Sequence, residues 1–138
     1  MSDHNTGTLA RMTQSPVNPD AFVSAESLQP EFWTEERCYI TELCNTEKLT
    51  AGSLAIARVE PGVTTQLHAL TGITETYIVI EGSGRMELDG EVFTINPGDQ
   101  VVINPGVPQR VTTLGETDLR FYCLCTPRFL PESYVNLE

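Results

Sequence analysis

The chain has 138 residues, 40% of them hydrophobic, enough for one domain with a real core. Its net charge is −11, from eight Lys and Arg against 19 Asp and Glu. That is a poor footprint for nucleic acid, where phosphate neutralisation dominates binding, and for an anionic membrane surface, so a small molecule or another protein is the expected partner. No apolar run approaches the roughly 20 residues of a membrane span, and the polar first residues hold no stretch suited to a secretory signal, which makes cytoplasmic the expected location.

Residues 1–20 read as a polar tail, and residues 21–36 as a covering arm with scattered apolar positions (Phe22, Leu28, Phe32, Trp33) and one helical turn. From residue 37 the pattern changes. Short β-rich runs recur at 37–45, 53–59, 64–68, 75–81, 85–89, 91–95, 100–103, 109–113 and 119–126. Turn signals separate them: Pro61-Gly62, Gly82-Ser83-Gly84, Asp89-Gly90, Pro97-Gly98-Asp99 and Pro105-Gly106. Short strands at this spacing point to a sandwich or barrel. Asp89-Gly90 is a strong hairpin signal, because a two-residue type I′ turn needs positive φ at both central positions. Nothing in the middle of the chain carries a sustained helical period, so architectures that layer helices on a sheet are excluded. Antiparallel strands in this number hide their edges best by rolling two sheets together. The expected fold is therefore all-β, with a barrel over 37–126 and a C-terminal tail over 127–138 that packs on the barrel or on a partner subunit.

The four cysteines are Cys38, Cys44, Cys123 and Cys125. Cys123 and Cys125 share one face of a strand and read as small core residues. The spacings do not match the tight Cys pairs of a zinc site.

The segment PGVTTQLHALTGITETYIVIEG carries the chemistry. Gly62 is followed by five residues and His68; after Ala69 and Leu70 come four residues, Glu75, six residues and Gly82. Further on, Gly98 is followed by five residues to Asn104, then Gly106, two residues, Gln109, three residues and Thr113. This pair of patterns resembles the two motifs of the cupin superfamily, over about residues 50–126. The resemblance implies a double-stranded β-helix, or jelly-roll, barrel with its site inside. It also implies a homodimer, with the 21–36 arm or the C-terminal tail crossing the interface.

In metal-binding cupins two histidines and a glutamate of the first motif and a histidine of the second converge on one ion. The matching positions here are His68, Leu70, Glu75 and Gln109. Leu70 has no donor atom, and Gln109 offers only an uncharged amide oxygen. The remaining histidine, His4, lies in the tail. A set of one nitrogen and two oxygens suits Mn²⁺, Fe²⁺, Ni²⁺ or Zn²⁺ better than copper. Glu42 is the candidate fourth ligand: the run from Cys38 to Cys44 splits into a Cys38, Ile40, Glu42, Cys44 face and a Tyr39, Thr41, Leu43 face. If the first points inward, Glu42 is a carboxylate in a dry place and has to be paired, protonated or metal-bound. If it points outward, Glu42 is a solvated surface charge. Tyr77 and Val79 share the face of Glu75, and with Leu70 they are the expected pocket lining.

Alternatives stay open at each position. His68 could be a buried histidine bonded to Glu75, Glu75 could pair with Arg85 or Arg110, Gln109 could orient a ligand, and Arg128 could bind an anion or anchor the tail. Two functions follow. In one, a divalent ion and a small polar or carboxylate-bearing molecule share the barrel, for decarboxylation, lyase chemistry, isomerisation or dioxygenation, with Glu75 or Glu42 moving a proton. In the other, the barrel is a metal-free module that binds a small ligand without chemistry. A structural or partner-regulating role is a third possibility.

Overall fold

Period-two alternation builds the barrel. In the computed structural model, which describes residues 21–138, strand β5 (Thr74–Glu81) buries Glu75, Tyr77 and Val79 and turns the residues between them outward. Strand β8 (Gln100–Ile103) likewise buries Val101 and Ile103. Successive side chains of a strand point to opposite faces, so each strand offers one face to the core and one to solvent.

Two antiparallel sheets stack through these faces. One has six strands in the order β1 (Phe32–Thr34), β2 (Cys38–Cys44), β3 (Ser53–Val59), β10 (Leu119–Thr126), β5 and β8. The other has five: β11 (Tyr134–Asn136), β4 (His68–Leu70), β9 (Gln109–Leu114), β6 (Ser83–Leu88) and β7 (Glu91–Ile95). The helical content among the described residues is two 3-10 turns, Ala25–Ser27 and Pro131–Ser133. The fold is the expected all-β jelly-roll barrel. The polar tail of residues 1–20, with His4, lies outside the described residues. No helix among the described residues is long and apolar enough to cross a membrane.

Val59, Val79, Met86, Ile95, Ile103, Val111, Leu119 and Phe121 fill the space between the sheets at one end. Each buried aliphatic or aromatic side chain there contributes on the order of 1.5–3 kcal/mol. The other end holds a smaller cluster of Leu70, Ile73 and Cys125, with Phe129 and Tyr134 packed on it. The polar groups of the barrel gather toward this second end.

The turn chemistry acts as expected. Asp89 and Gly90 have φ of 51° and 85°, and they join β6 to β7 with Leu88 opposite Glu91. The expected 64–68 strand is shorter: regular pairing begins at His68, and Thr64 makes only an isolated bridge to Thr112. The three-residue strands β1 and β11, which carry no readable alternation at that length, cover the two sheet edges nearest the site.

Gly82 is the one residue between β5 and β6, so the chain passes from one sheet to the other there in a single step. Its φ is 79°, and a Cβ at this position would be driven into the Asp118 carbonyl. Gly90 has a similar φ with open space around it. Gly90→Ala should therefore cost only the left-handed backbone penalty, about 1–2 kcal/mol. Gly82→Ala should cost about 1–3 kcal/mol more from overpacking. Urea unfolding of the two variants side by side checks this, and equal midpoints would contradict the close approach.

Candidate functional site

Strand register brings the three residues of the motif together. His68 on β4 stands opposite Gln109 on β9, and Glu75 on β5 stands between Ile103 on β8 and Cys125 on β10. Gln109 bridges the two sheets. Its Nε2 donates to Glu75 Oε1 at 2.9 Å, and its Oε1 accepts from the Tyr77 hydroxyl. An ionised Glu75 accepts only, so the amide NH₂ has to face it and the oxygen is left for Tyr77. Gln109 is fully buried and Glu75 is 8% exposed. Burial pushes the Glu75 carboxyl up to about 7, against the pull of Gln109 and of the Cys123 thiol. Burial also holds the Tyr77 phenol well above its ordinary value.

His68 is 4% exposed. Its Nδ1 lies 2.8 Å from the Gln66 carbonyl oxygen. A carbonyl cannot donate, so the proton is on Nδ1 and Nε2 carries a lone pair. The ring stacks on Tyr134 at 4.7 Å with 15° between planes. Desolvation lowers the pKa of His68, which favours the neutral ring. His68 therefore bonds Gln66, and Arg110 pairs with Glu87 rather than with Glu75.

His68, Glu75 and Tyr77 line a cavity of about 160 Å³, and Gln109 lies outside its lining. Phe32, Phe121, Phe129, Tyr77 and Tyr134 form much of its wall, and Leu70 closes the corner that a second histidine would occupy in the motif. Val79, expected beside Tyr77, lies outside the lining: it is two residues further along β5 and packs into the main core cluster. Cys38, Ile40 and Glu42 do line the cavity. A bulge between Glu42 and Cys44 breaks the alternation, and Cys44 faces a separate surface groove. Glu42 Oε2 accepts from Asn45 Nδ2 at 3.2 Å. Asn45 also donates to the Phe129 carbonyl and accepts from Arg128 Nε. Arg128 thus anchors the C-terminal segment.

Glu36 is the residue that sequence reasoning missed. It sits in the turn between β1 and β2 and lines both the inner cavity and an outer groove under β11. The residue is half-buried, and burial and then the nearby Glu75 charge push its carboxyl up to about 7. Its position at the end of an arm with no readable period gave no signal. The C-terminal residues were equally silent: Tyr134 Oη donates to Gln66 Oε1, and Glu138 Oε2 accepts from Arg37 and from the Leu67 amide.

The donor set does not fit a resident, closed metal site. Leu70 supplies nothing, the Gln109 oxygen is committed to Tyr77, and its NH₂ group faces Glu75. No group of three or more His, Cys, Asp or Glu side chains among the described residues is placed to hold an ion.

A family model described as the cupin domain matches residues 55–125. The chain belongs to the cupin family. An uncharacterized protein of Methanocaldococcus jannaschii is 35% identical to this cupin over 107 residues, covering 76% of this chain and 86% of that protein. Among solved structures, the nucleoside dehydratase Pac13 superposes with a TM-score of 0.70 at 15% identity, over 85% of this chain and 90% of that one; its variants from Streptomyces were solved with uridine. A predicted oxalate decarboxylase from Thermotoga maritima gives a TM-score of 0.66 at 24% identity, over 77% of this chain and 98% of that one. KdgF from Halomonas sp. gives 0.66 at 20%, over 78% and 94%. At these identities the structures establish the shared barrel.

The raised carboxyls of Glu75 and Glu36 have a thermodynamic consequence. An acid whose pKa is higher folded than unfolded binds more protons in the native state between the two values, so stability falls as pH rises through that window. Here the window runs from the ordinary carboxyl value of 4.5 to about 7. Urea midpoints of this cupin should be higher at about pH 5 than at about pH 8, and Glu75→Gln should flatten that dependence. An unchanged slope in the variant would mean that Glu75 titrates normally.

Proposed function

We propose that this cupin binds a small polar organic molecule in the barrel cavity and holds it by hydrogen bonds from protein groups, with Glu75 and Glu36 able to exchange protons with it. One observation carries the reading: the Gln109 amide bridges Glu75 and Tyr77, meeting the needs of a buried carboxyl that in the metal-binding pattern faces an ion. A carboxyl poised near neutrality is suited to general acid–base chemistry, so lyase or isomerase activity through proton transfer is compatible with the site, as is binding alone. That Pac13 is a nucleoside dehydratase solved with uridine, and the Thermotoga maritima protein a predicted oxalate decarboxylase, supports a small-molecule occupant.

The second reading is an exchangeable divalent ion, Mn²⁺, Fe²⁺, Ni²⁺ or Zn²⁺, with His68 and Glu75 as its donors; Glu42 lines the same cavity without forming a three-donor group with them. One observation favours it: His68 donates Nδ1–H to a carbonyl, as metal-ligating histidines do, and leaves Nε2 free. Such an ion would neutralise the carboxylates and polarise an oxygen of the bound molecule.

A homodimer belongs to the same reading. Its support is the outer face of the six-stranded sheet, where Ile80, Val102 and Leu124 are exposed beside half-buried Ile56 and Ile78, an apolar surface that a second copy could cover symmetrically. The four cysteines are all free thiols, which accords with the reducing cytoplasm.

Elemental analysis of protein purified without added metal, wild type beside His68→Ala, separates the two readings. The first expects less than stoichiometric metal in both. The second expects metal in the wild type only, with affinity falling as pH drops and the imidazole protonates. Stoichiometric metal that His68→Ala abolishes would overturn the first reading.

A further inference from the structure

The polar atoms around the cavity fall into two unequal sets. Most of the hydroxyl and amide donors are committed to the protein. Thr34 and Thr65 donate to the carbonyls of Cys38 and Val111. Tyr77 and Tyr134 donate to Gln109 and Gln66, and the Asn45 amide donates to Glu42 and Phe129. What remains open is a set of acceptors. The Glu36 carboxyl has no hydrogen-bond partner among the described residues, and neither does His68 Nε2. No sealed polar side-chain atom among the described residues is unsatisfied. So the Nε2 of a histidine that is 4% exposed opens onto the cavity it lines.

Charge runs the same way. Glu36, Glu42 and Glu75 line the cavity, and among the described residues no Lys or Arg does. Arg37 is turned to Glu138 and the Thr64 carbonyl, and Arg128 to Asn45. The walls are aromatic, and aromatic faces attract cations. A ligand carboxylate would meet like charges and no cation. A ligand with N–H donors and a positive charge would meet acceptors, carboxylates and ring faces.

We propose that the cavity takes a small organic cation, an alkylammonium or guanidinium group seated between Glu36 at the mouth and Glu75 on the barrel wall, with an N–H directed at His68 Nε2. The proposal rests on the small-molecule reading above and narrows it to a chemical class. Glu36 is the specificity residue: it lines both the cavity and the groove outside it, so an entering cation meets its carboxylate first. Burial of the cation beside two carboxylates gives charge-assisted hydrogen bonds, which are stronger than neutral ones.

Calorimetric titration at mildly alkaline pH with three probes of one shape, n-butylammonium, n-butanol and butyrate, tests it. The ammonium should bind at least about tenfold more tightly than the alcohol, and Glu36→Gln should remove most of that preference while leaving the alcohol unchanged. Glu35→Gln, one residue along and outside the inner cavity, should keep the wild-type preference. Urea midpoints check that both variants fold. Tighter binding of butyrate, equal binding of alcohol and ammonium, or an ammonium affinity that ignores Glu36→Gln would overturn the cation proposal and leave the small-molecule reading standing. No binding of any probe to folded wild type would count against both.

Discussion

A carboxyl in the middle of a barrel has to be answered by something. Glu75 is carried inward by the alternation of β5, between Thr74 and Thr76 on the outer side and two positions before the buried Tyr77. Leaving such a group unpaired would cost several kcal/mol. The Gln109 amide answers it, and the cost of burying Gln109 is met in turn by Tyr77, whose hydroxyl takes the amide oxygen. Three side chains from two strands on opposite sheets thus satisfy one another, and the sheets are tied through polar atoms where the apolar core thins out. The neutral amide stabilises the charge less than an ion would, and the carboxyl keeps its proton up to about 7.

The frame around this contact is set by how the chain changes sheets. Gly82 permits the abrupt step from β5 to β6, and its closeness to Asp118 brings that step against the start of β10. β10 then runs between β3 and β5, so Cys123 and Cys125 lie beside Tyr77 and Glu75 in register. The Cys38 and Cys125 thiols are pushed up to about 12 by burial, and Cys123 also moves well upward. Protonated thiols suit a cavity already holding carboxyls, since a thiolate would add a further buried negative charge. At the other end, β11 lies along β4 with Tyr134 opposite Leu70, and Tyr134 closes over His68 by stacking.

The barrel was legible because its signals are local. Asp89-Gly90, Pro61-Gly62 and the alternation in 75–81 and 100–103 each specify a turn or a strand within a few residues. The approach of His68, Glu75 and Gln109 was legible only through motif spacing, which records a three-dimensional register that period alone does not. Glu36 and Tyr134 were invisible for a definite reason: each sits in or beside a three-residue strand at a sheet edge, too short to show alternation, and each is placed by long-range pairing. Val79 misled because a shared strand face guarantees a shared side of the sheet and nothing about depth along it. Cys44 misled because the bulge after Glu42 breaks the period that the inference used.

Removing two imidazoles from a four-donor pattern does more than weaken a metal site. Imidazole lone pairs and a carboxylate are all acceptors, and in the parent pattern a cation balances them. Leu70 withdraws one acceptor and adds nothing. Gln109 withdraws another and adds a donor, which turns to the carboxylate. What survives is the geometry of an acceptor site with less charge on it: His68 Nε2 and Glu75, joined by Glu36 from the mouth. The organic cation proposed above would be a softer positive partner for such a site than a bare divalent ion, because only part of the acceptor field remains and aromatic walls would supply the rest. On the proposed reading, the barrel would hydrogen-bond a molecule where the metal-binding pattern coordinates an ion, through differences at two of its inward-facing positions.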